Sequence, residues 1–521
     1  MENITLFYNG KIYLGSKKFG YGFEIKNNCF NKIFISEQQI DFNKYKNKID
    51  LNNQLVIPGL IDTHIHMLLA AKNKNNIDLS KSKNIDEIKE VINKKIFSEN
   101  PKFIFCENLK YGLLLNKFEL DKINDNIPIF IFKSDLHTAF VNTCGLKFLN
   151  IYEKNIESKV GGLIELGLDL LPNGILRESA CQIIRNKLSA FNDFDLDLKN
   201  LKEISDELIK YGITNVLICD IFEGSDDYIY KLYDNLTNQE KTLRINHQIV
   251  FYDLEKLKVF LENHKNDEPN EFNKISDIKI FNDGSIGSKT AHISSCYLND
   301  TNNCGIQNYS KNDLMNVFEI ADAYKKQVAI HSIGDQSSKT CIEALKDKSN
   351  KNANRHKIVH FQLFDKCLMK EVINHKILLS VQPCFLESDL NILSDYLDSS
   401  FSLDSYKFNE INKLNDNLVS FSTDAPVCSF NPWLNIYYAI TGNQINKSKR
   451  EEWSFDIYEA IKCYTENGAY SMFEENTRGK IKKDYLADFI ILNQDIFGLK
   501  NEKEILNTKV LHSYINGKKI F

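Results

Sequence analysis

The run Ile57-Pro58-Gly59-Leu60-Ile61-Asp62-Thr63-His64-Ile65-His66 carries two imidazoles two residues apart. On a strand, Asp62, His64 and His66 share one face and Ile61, Thr63 and Ile65 the other. Two such imidazoles can grip one metal ion from a strand end; they equally fit two ordinary histidines there. Lys279 lies between Ile278 and Ile280, four residues before Asp283. Burying its charge inside a sheet is costly. A partner carboxylate, an outward-facing side chain, or conversion to a carbamate by CO2 would each relieve that cost, and the carbamate would offer two anionic oxygens. His331 and His360 each sit in an apolar run, Ala329-Ile330-His331 and Ile358-Val359-His360. Singly, each also reads as a hydrogen-bonded core histidine. Asp424, in Ser422-Thr423-Asp424-Ala425-Pro426, is a ligand candidate or a helix N-cap.

Short Ile-, Val- and Phe-rich runs must position these groups, and helix-patterned stretches alternate with them. The class is therefore α/β with a mainly parallel sheet. Eight runs qualify as strands: Val56–His66, Thr214–Asp220, Arg244–Phe251, Asp277–Asp283, Val328–Gly334, Lys357–Gln362, Leu378–Pro383 and Val419–Ala425. Eight βα units predict a TIM-type (β/α)8 barrel. The candidate groups then lie at the C-terminal ends of strands one, four, five, six and eight. Four imidazoles, a lysine and an aspartate on one rim suit two first-row cations, roughly 3.5–4 Å apart, with open positions for water.

The first two strands start 158 residues apart, at Val56 and Thr214. The gap has its own strand-like runs, Phe103–Glu107 and Ile127–Phe132, which predicts an inserted α/β domain over residues 72–200. Both chain ends carry short strands and Asn-Gly turns, at Asn9-Gly10 and Asn516-Gly517. Residues 1–55 and 480–521 are expected to join as one small β-sandwich, leaving 56–71 plus 201–479 for the barrel.

The chain of 521 residues is 43% hydrophobic and 26% charged, with a net charge of −5. It is long enough for several domains, and it argues against a nucleic-acid or anionic-membrane partner. No long apolar span or export signal is evident, so a cytoplasmic protein is expected. Twelve cysteines without a C-x-x-C pair read as free buried thiols.

Taken in order, VIPGLIDTHIH, SDLHTAFVN, GILRESA, IKIFNDGSIGSKTA, QVAIHSIGD, IVHFQ, LSVQPCF, FSTDAPV and NPWLNIYYAIT resemble the amidohydrolase superfamily of metal-dependent hydrolases. The tail GAYSMFEENTRGKIKKDYLADFIILNQDIF extends the likeness over nearly the whole chain, specifically to the YtcJ-like, or amidohydrolase-3, branch. The resemblance implies a divalent metal, zinc in several members, as one or two ions. It puts His64 and His66 on the more buried ion and a carbamylated Lys279 as the bridge to a second ion held by His331 and His360. It makes Asp424 a ligand and the proton shuttle. The implied reaction is hydrolysis of a non-peptide amide-type carbon–nitrogen bond in a small molecule, by attack of a metal-bound hydroxide. His137, in Ser134–Asn142, would orient substrate over the barrel mouth or pack within the insert. Asp283 would border the pocket or serve a glycine turn. Glu178 reads as a helix-surface charge. A single-metal deaminase of the same superfamily is the rival reading, but Ser-Ile-Gly-Asp-Gln follows His331 without the glutamate such enzymes carry. A non-catalytic ligand-binding homologue is disfavoured by the presence of all six site positions. A homo-oligomer is compatible with the sequence.

Overall fold

The computed structural model describes residues 4–521, apart from 75, 110–112, 114, 155, 157–161, 239–241, 266–269, 299, 301, 348–351, 399–400 and 402–404. Eight parallel strands form one sheet: β1 Leu60–Ile65, β2 Ile213–Phe222, β3 Arg244–Val250, β4 Asn273–Phe281, β5 Gln327–Ser332, β6 Lys357–His360, β7 Leu378–Val381 and β8 Val419–Phe421. Their spatial order follows the chain without interruption from β1 to β8. Most of their residues are buried, as expected for parallel strands covered by helices, and this explains their nearly continuous apolar runs. The helix Phe194–Lys210 shows how the cover forms. The side chain of Asp193 caps it by accepting from the Leu196 amide, and Leu201, Ile204 and Leu208 bury one face.

The sheet curls into a nearly closed barrel. Its two edge strands, β1 and β8, meet beyond the last residue of β8. The Asp424 amide donates to the His64 carbonyl at 2.9 Å, and the His66 amide to the Ala425 carbonyl at 2.8 Å. Thr423 Oγ1 donates to Asp62 Oδ2 at 2.6 Å, fully buried. The seam is thus built from the same residues that carry the candidate ligands.

One expected strand divides in two. Leu55–Pro58 leaves the barrel and pairs antiparallel with Phe489–Leu492 and parallel with Lys11–Tyr13. Gly59 is the pivot, since a Cβ there would sit 2.3 Å from Thr214 Oγ1. Leu55–Pro58 therefore lies inside a six-stranded sheet that runs from Lys518–Lys519 through Val510–Ile515 to Phe19–Gly20, joining both ends of the chain. A four-stranded sheet of N-terminal strands accompanies it. The segment between β1 and β2 has a mixed six-stranded sheet, ordered Gly162–Leu166, Pro172–Glu178, Thr138–Val141, Ile129–Lys133, Ile104–Leu109 and Ile77–Asp78.

The cysteines depart from the expectation of free buried thiols. Cys296 and Cys304 are joined as a disulfide, Cys367 is exposed, and Cys29, Cys144 and Cys428 are half-buried.

Candidate active site

Parallel register brings the ligand candidates to one height. Phe281 of β4 lies opposite His331 of β5, and Ser332 opposite His360 of β6. His64 and His360 ring centroids are 5.7 Å apart, His331 and His360 4.5 Å, and His64 and His66 5.1 Å. Lys279 Nζ is 3.4 Å from His64 Nε2. Asp424 Oδ1 lies 3.3 Å from His64 Nε2 and 3.2 Å from His66 Nε2. His64, His360 and Asp424 bring one donor atom each within 4.8 Å of one another. All six predicted residues converge, with His331 joined to the cluster through His360.

Partners on the far side of each ring fix which nitrogen faces inward. His64 Nδ1 meets Gln248 Oε1 at 2.7 Å, and His360 Nδ1 meets Gln382 Oε1 at 2.8 Å. His66 Nδ1 donates to the Cys219 carbonyl at 2.8 Å. Each therefore turns an Nε2 lone pair toward the site. His331 is reversed: its Nε2 donates to the Gly284 carbonyl at 3.1 Å, leaving Nδ1 with the lone pair. The glutamines are themselves oriented. Gln248 Nε2 donates to Asp277 Oδ2 at 3.1 Å, and Gln382 Nε2 to Ser422 Oγ at 2.7 Å. Sequence reasoning missed both glutamines. Gln382 had one signal, a polar residue just past an apolar strand; Gln248 lies among other polar residues of β3 and had none.

Charge follows burial. Desolvation, helped by Lys279 and the neighbouring rings, holds His64 well below the usual imidazole range, and His331 likewise. Burial lowers His360 to about 3 and the Lys279 ammonium to about 8. Asp424 goes the other way. Burial pushes its carboxyl up, but the neighbouring His66, His360 and Lys279 outweigh that and hold it below the usual carboxylate range. Asp424 has φ of +54° and His360 +78°, a backbone region that non-glycine residues enter at a cost.

The remaining candidates come from loops and the insert. His137 Nδ1 and Glu178 Oε2 are 2.7 Å apart, and the His137 ring lies 5.0 Å from that of His331. Burial would lower His137, but the Glu178 carboxylate overcomes it and raises the imidazole to about 9. Glu178 is buried, not a surface charge. Asp283 is fully buried and accepts from the amides of Ile333, Gly334 and His292 at 3.0, 2.7 and 3.0 Å. Its oxygens hold the turn after β5. A cavity of about 600 Å3 lies over the imidazoles and is walled on one side by the insert, through Phe103, Phe105, Glu107, His137 and Glu178.

A sequence profile described as the amidohydrolase family matches residues 48–521. The chain belongs to the amidohydrolase family. Among curated relatives, Putative amidohydrolase YtcJ of Bacillus subtilis (strain 168) is 25% identical over 493 residues, 91% of this chain and 90% of that one. Protein LONG AFTER FAR-RED 3 of Arabidopsis thaliana is 25% identical over 496 residues, 91% of this chain and 83% of its own. N-substituted formamide deformylase of Arthrobacter pascens is 26% identical over 191 residues, 32% of this chain and 33% of that protein. The crystal structure of a metal-dependent hydrolase from Pyrococcus horikoshii OT3 shares the fold with a TM-score of 0.76 at 22% identity, over 96% of this chain and 99% of its own. As an amidohydrolase family member, the protein is a hydrolase acting on carbon–nitrogen bonds.

The donor set fits a divalent cation. Neutral imidazoles direct lone pairs into one space, and Asp424 Oδ1 is buried with no hydrogen-bond partner among the described residues. No described helix is long and apolar enough to cross a membrane.

Proposed function

We propose that this amidohydrolase cleaves a non-peptide amide-type bond of a small molecule, with His64, His66, Lys279, His331, His360 and Asp424 holding the metal. The supporting observation is the approach of His64, His360 and Asp424 within 4.8 Å, beside a carboxylate oxygen that no other group uses. One or two divalent ions, zinc by the preference of imidazole and carboxylate donors, would supply Lewis-acid polarisation of the carbonyl and a lowered pKa of water. Asp424, ionised in the resting enzyme, takes the proton of the attacking water and gives it to the leaving nitrogen. Lys279, brought to about 8, has an accessible neutral amine that can add CO2 as a carbamate. His137 is an imidazolium at neutral pH and donates to the substrate carbonyl oxygen as negative charge develops there. Asp283 acts as a positioning residue, fixing the turn that follows His331.

We propose three folding units, a β-sandwich of residues 1–55 and 480–521, the barrel of 56–71 plus 201–479, and the insert of 72–200; the insert's own apolar clusters, distinct from the barrel's, support the last division. A cytoplasmic location belongs to the same proposal.

Metal content of the purified protein and turnover of an N-acyl substrate panel test the reading. Bound divalent metal with amine release supports it. Metal-free protein that stays inactive when metal is added, or ammonia release from ring amines alone, would overturn it.

A further inference from the structure

Glu107 stands apart from the machinery just described. In the strand Ile104–Leu109, alternation turns Ile104 and Cys106 into the insert's core, while Phe105 and Glu107, with Phe103 before them, line the cavity. Glu107 is 2% exposed; the Asn76 side chain lies beside it, but no described residue makes a regular hydrogen bond to either carboxylate oxygen. Burying an unpartnered carboxylate is costly, so a partner must come from outside the chain or the residue is a liability. Three other acids in the wall have a hydroxyl donor: Asp135 accepts from Ser288 Oγ at 2.5 Å, Asp197 from Tyr228 at 2.8 Å, and Asp220 from Tyr233 at 2.5 Å, whereas Glu178 and Asp424 each leave only one oxygen unpartnered.

The nearby cations are engaged elsewhere. Lys72 donates to Asn192 at 2.7 Å, and the Arg185 guanidinium lies over the Phe132 ring at 5.1 Å. The wall carries eight acidic side chains against Lys72, Arg185 and the His137 imidazolium, an excess of acid that favours a cation over an anion. Phe103 and Phe191 meet edge to face at 5.5 Å beside it, supplying aromatic surface suited to an ammonium group.

We propose that Glu107, flanked by Phe103 and Phe105, is a specificity-determining residue that recognises a protonated amine on the non-reacting part of the substrate. The inference rests on the hydrolase reading and adds the substrate's charge class to it. Burial holds the empty carboxyl up at about 8, against the opposing influence of Asn76 and Arg185, and an arriving ammonium favours its ionised form.

Phenethylamine, phenethyl alcohol and hydrocinnamate form a matched set of cationic, neutral and anionic probes. Calorimetric titration of the purified protein should show phenethylamine binding about tenfold or more tighter than the alcohol. Glu107→Gln should remove that preference while leaving alcohol binding in place. Equal binding of amine and alcohol, a Glu107-independent preference for amine, or stronger binding of hydrocinnamate that Glu107→Gln leaves unchanged would each overturn the proposal. If Glu107→Gln does not fold, the wild-type ranking alone decides. The titration needs no turnover. Amine selectivity in a protein that hydrolyses no N-acyl compound sinks only the hydrolase reading, and hydrolysis without amine selectivity sinks only this one.

Discussion

Replacing Gln248 with leucine removes one acceptor and one donor from the floor of the site without a large change in volume. The lost acceptor is the oxygen 2.7 Å from His64 Nδ1, and the lost donor is the amide 3.1 Å from Asp277 Oδ2. Asp277 keeps the Lys357 ammonium at 2.9 Å and the Ser276 hydroxyl at 2.7 Å, so its charge stays compensated. His64 has no such reserve: its ring is buried, and Nδ1–H is left unpaired. An unpaired buried donor costs about 1–3 kcal/mol, and the ring can shed part of that by moving its proton to Nε2, the nitrogen needed for metal. Loss of an outer partner of this kind typically weakens metal binding by about 10–100-fold. Competition between the protein and a fluorescent zinc chelator would measure it. Gln248→Leu should raise the zinc dissociation constant within that range, and Gln382→Leu should do the same through His360. Zinc affinity within twofold of wild type, in a variant with a lowered melting temperature, would show that Gln248 only fills space and that the tautomer argument is wrong.

Asp424→Asn should lower kcat by about 100-fold or more while zinc content falls less steeply, because the amide keeps an oxygen ligand but cannot carry a proton; an active variant would remove Asp424 from that role. Glu178→Gln should destabilise the protein in a pH-dependent way. The His137 pKa of about 9 lies above its ordinary 6.5, so the pair's contribution is complete below pH 6.5 and vanishes as pH rises through about 9. The stability gap between wild type and variant, measured by urea unfolding, should be at most about 3 kcal/mol at low pH and close by alkaline pH; a gap that widens with pH contradicts the assignment. Thr423→Val should cost about 1–3 kcal/mol by breaking the 2.6 Å bond to buried Asp62 at the barrel seam, and unchanged unfolding would refute that seam. Added bicarbonate should raise the metal-to-protein ratio of wild type but not of Lys279→Met; equal responses would argue against a carbamate.

The chemistry was legible in the sequence where strand alternation decides it. His64 and His66 share a face because the period of a strand is two, and they meet His331 and His360 because all four sit at the C-terminal ends of parallel neighbours. Contacts across the sheet were not legible. Nothing local marks Gln248 as the partner of His64, 184 residues away, or Gln382 as that of His360. Glu178 reads as a surface charge beside Arg177, and only folding of the insert puts it against His137. The apolar run from Val56 to His66 hides its division at Gly59, because both halves are equally hydrophobic and the pivot is a steric matter of Thr214.

These limits coincide with a division of labour in the molecule. The barrel strands present the imidazoles with each ring braced from behind, so that on the proposed reading none has to be reoriented or stripped of a proton before it binds metal. The insert lines the cavity with the groups proposed to meet the substrate, His137 with its Glu178 counter-charge and the strand bearing Phe105 and Glu107. A carboxylate without a partner is tolerable in such a wall only because the cavity is open to an incoming ligand; the same residue inside the barrel core would have nothing to wait for. Variation in the insert can therefore change what is bound while the metal ligands and their braces remain fixed, which separates selectivity from catalysis within one chain.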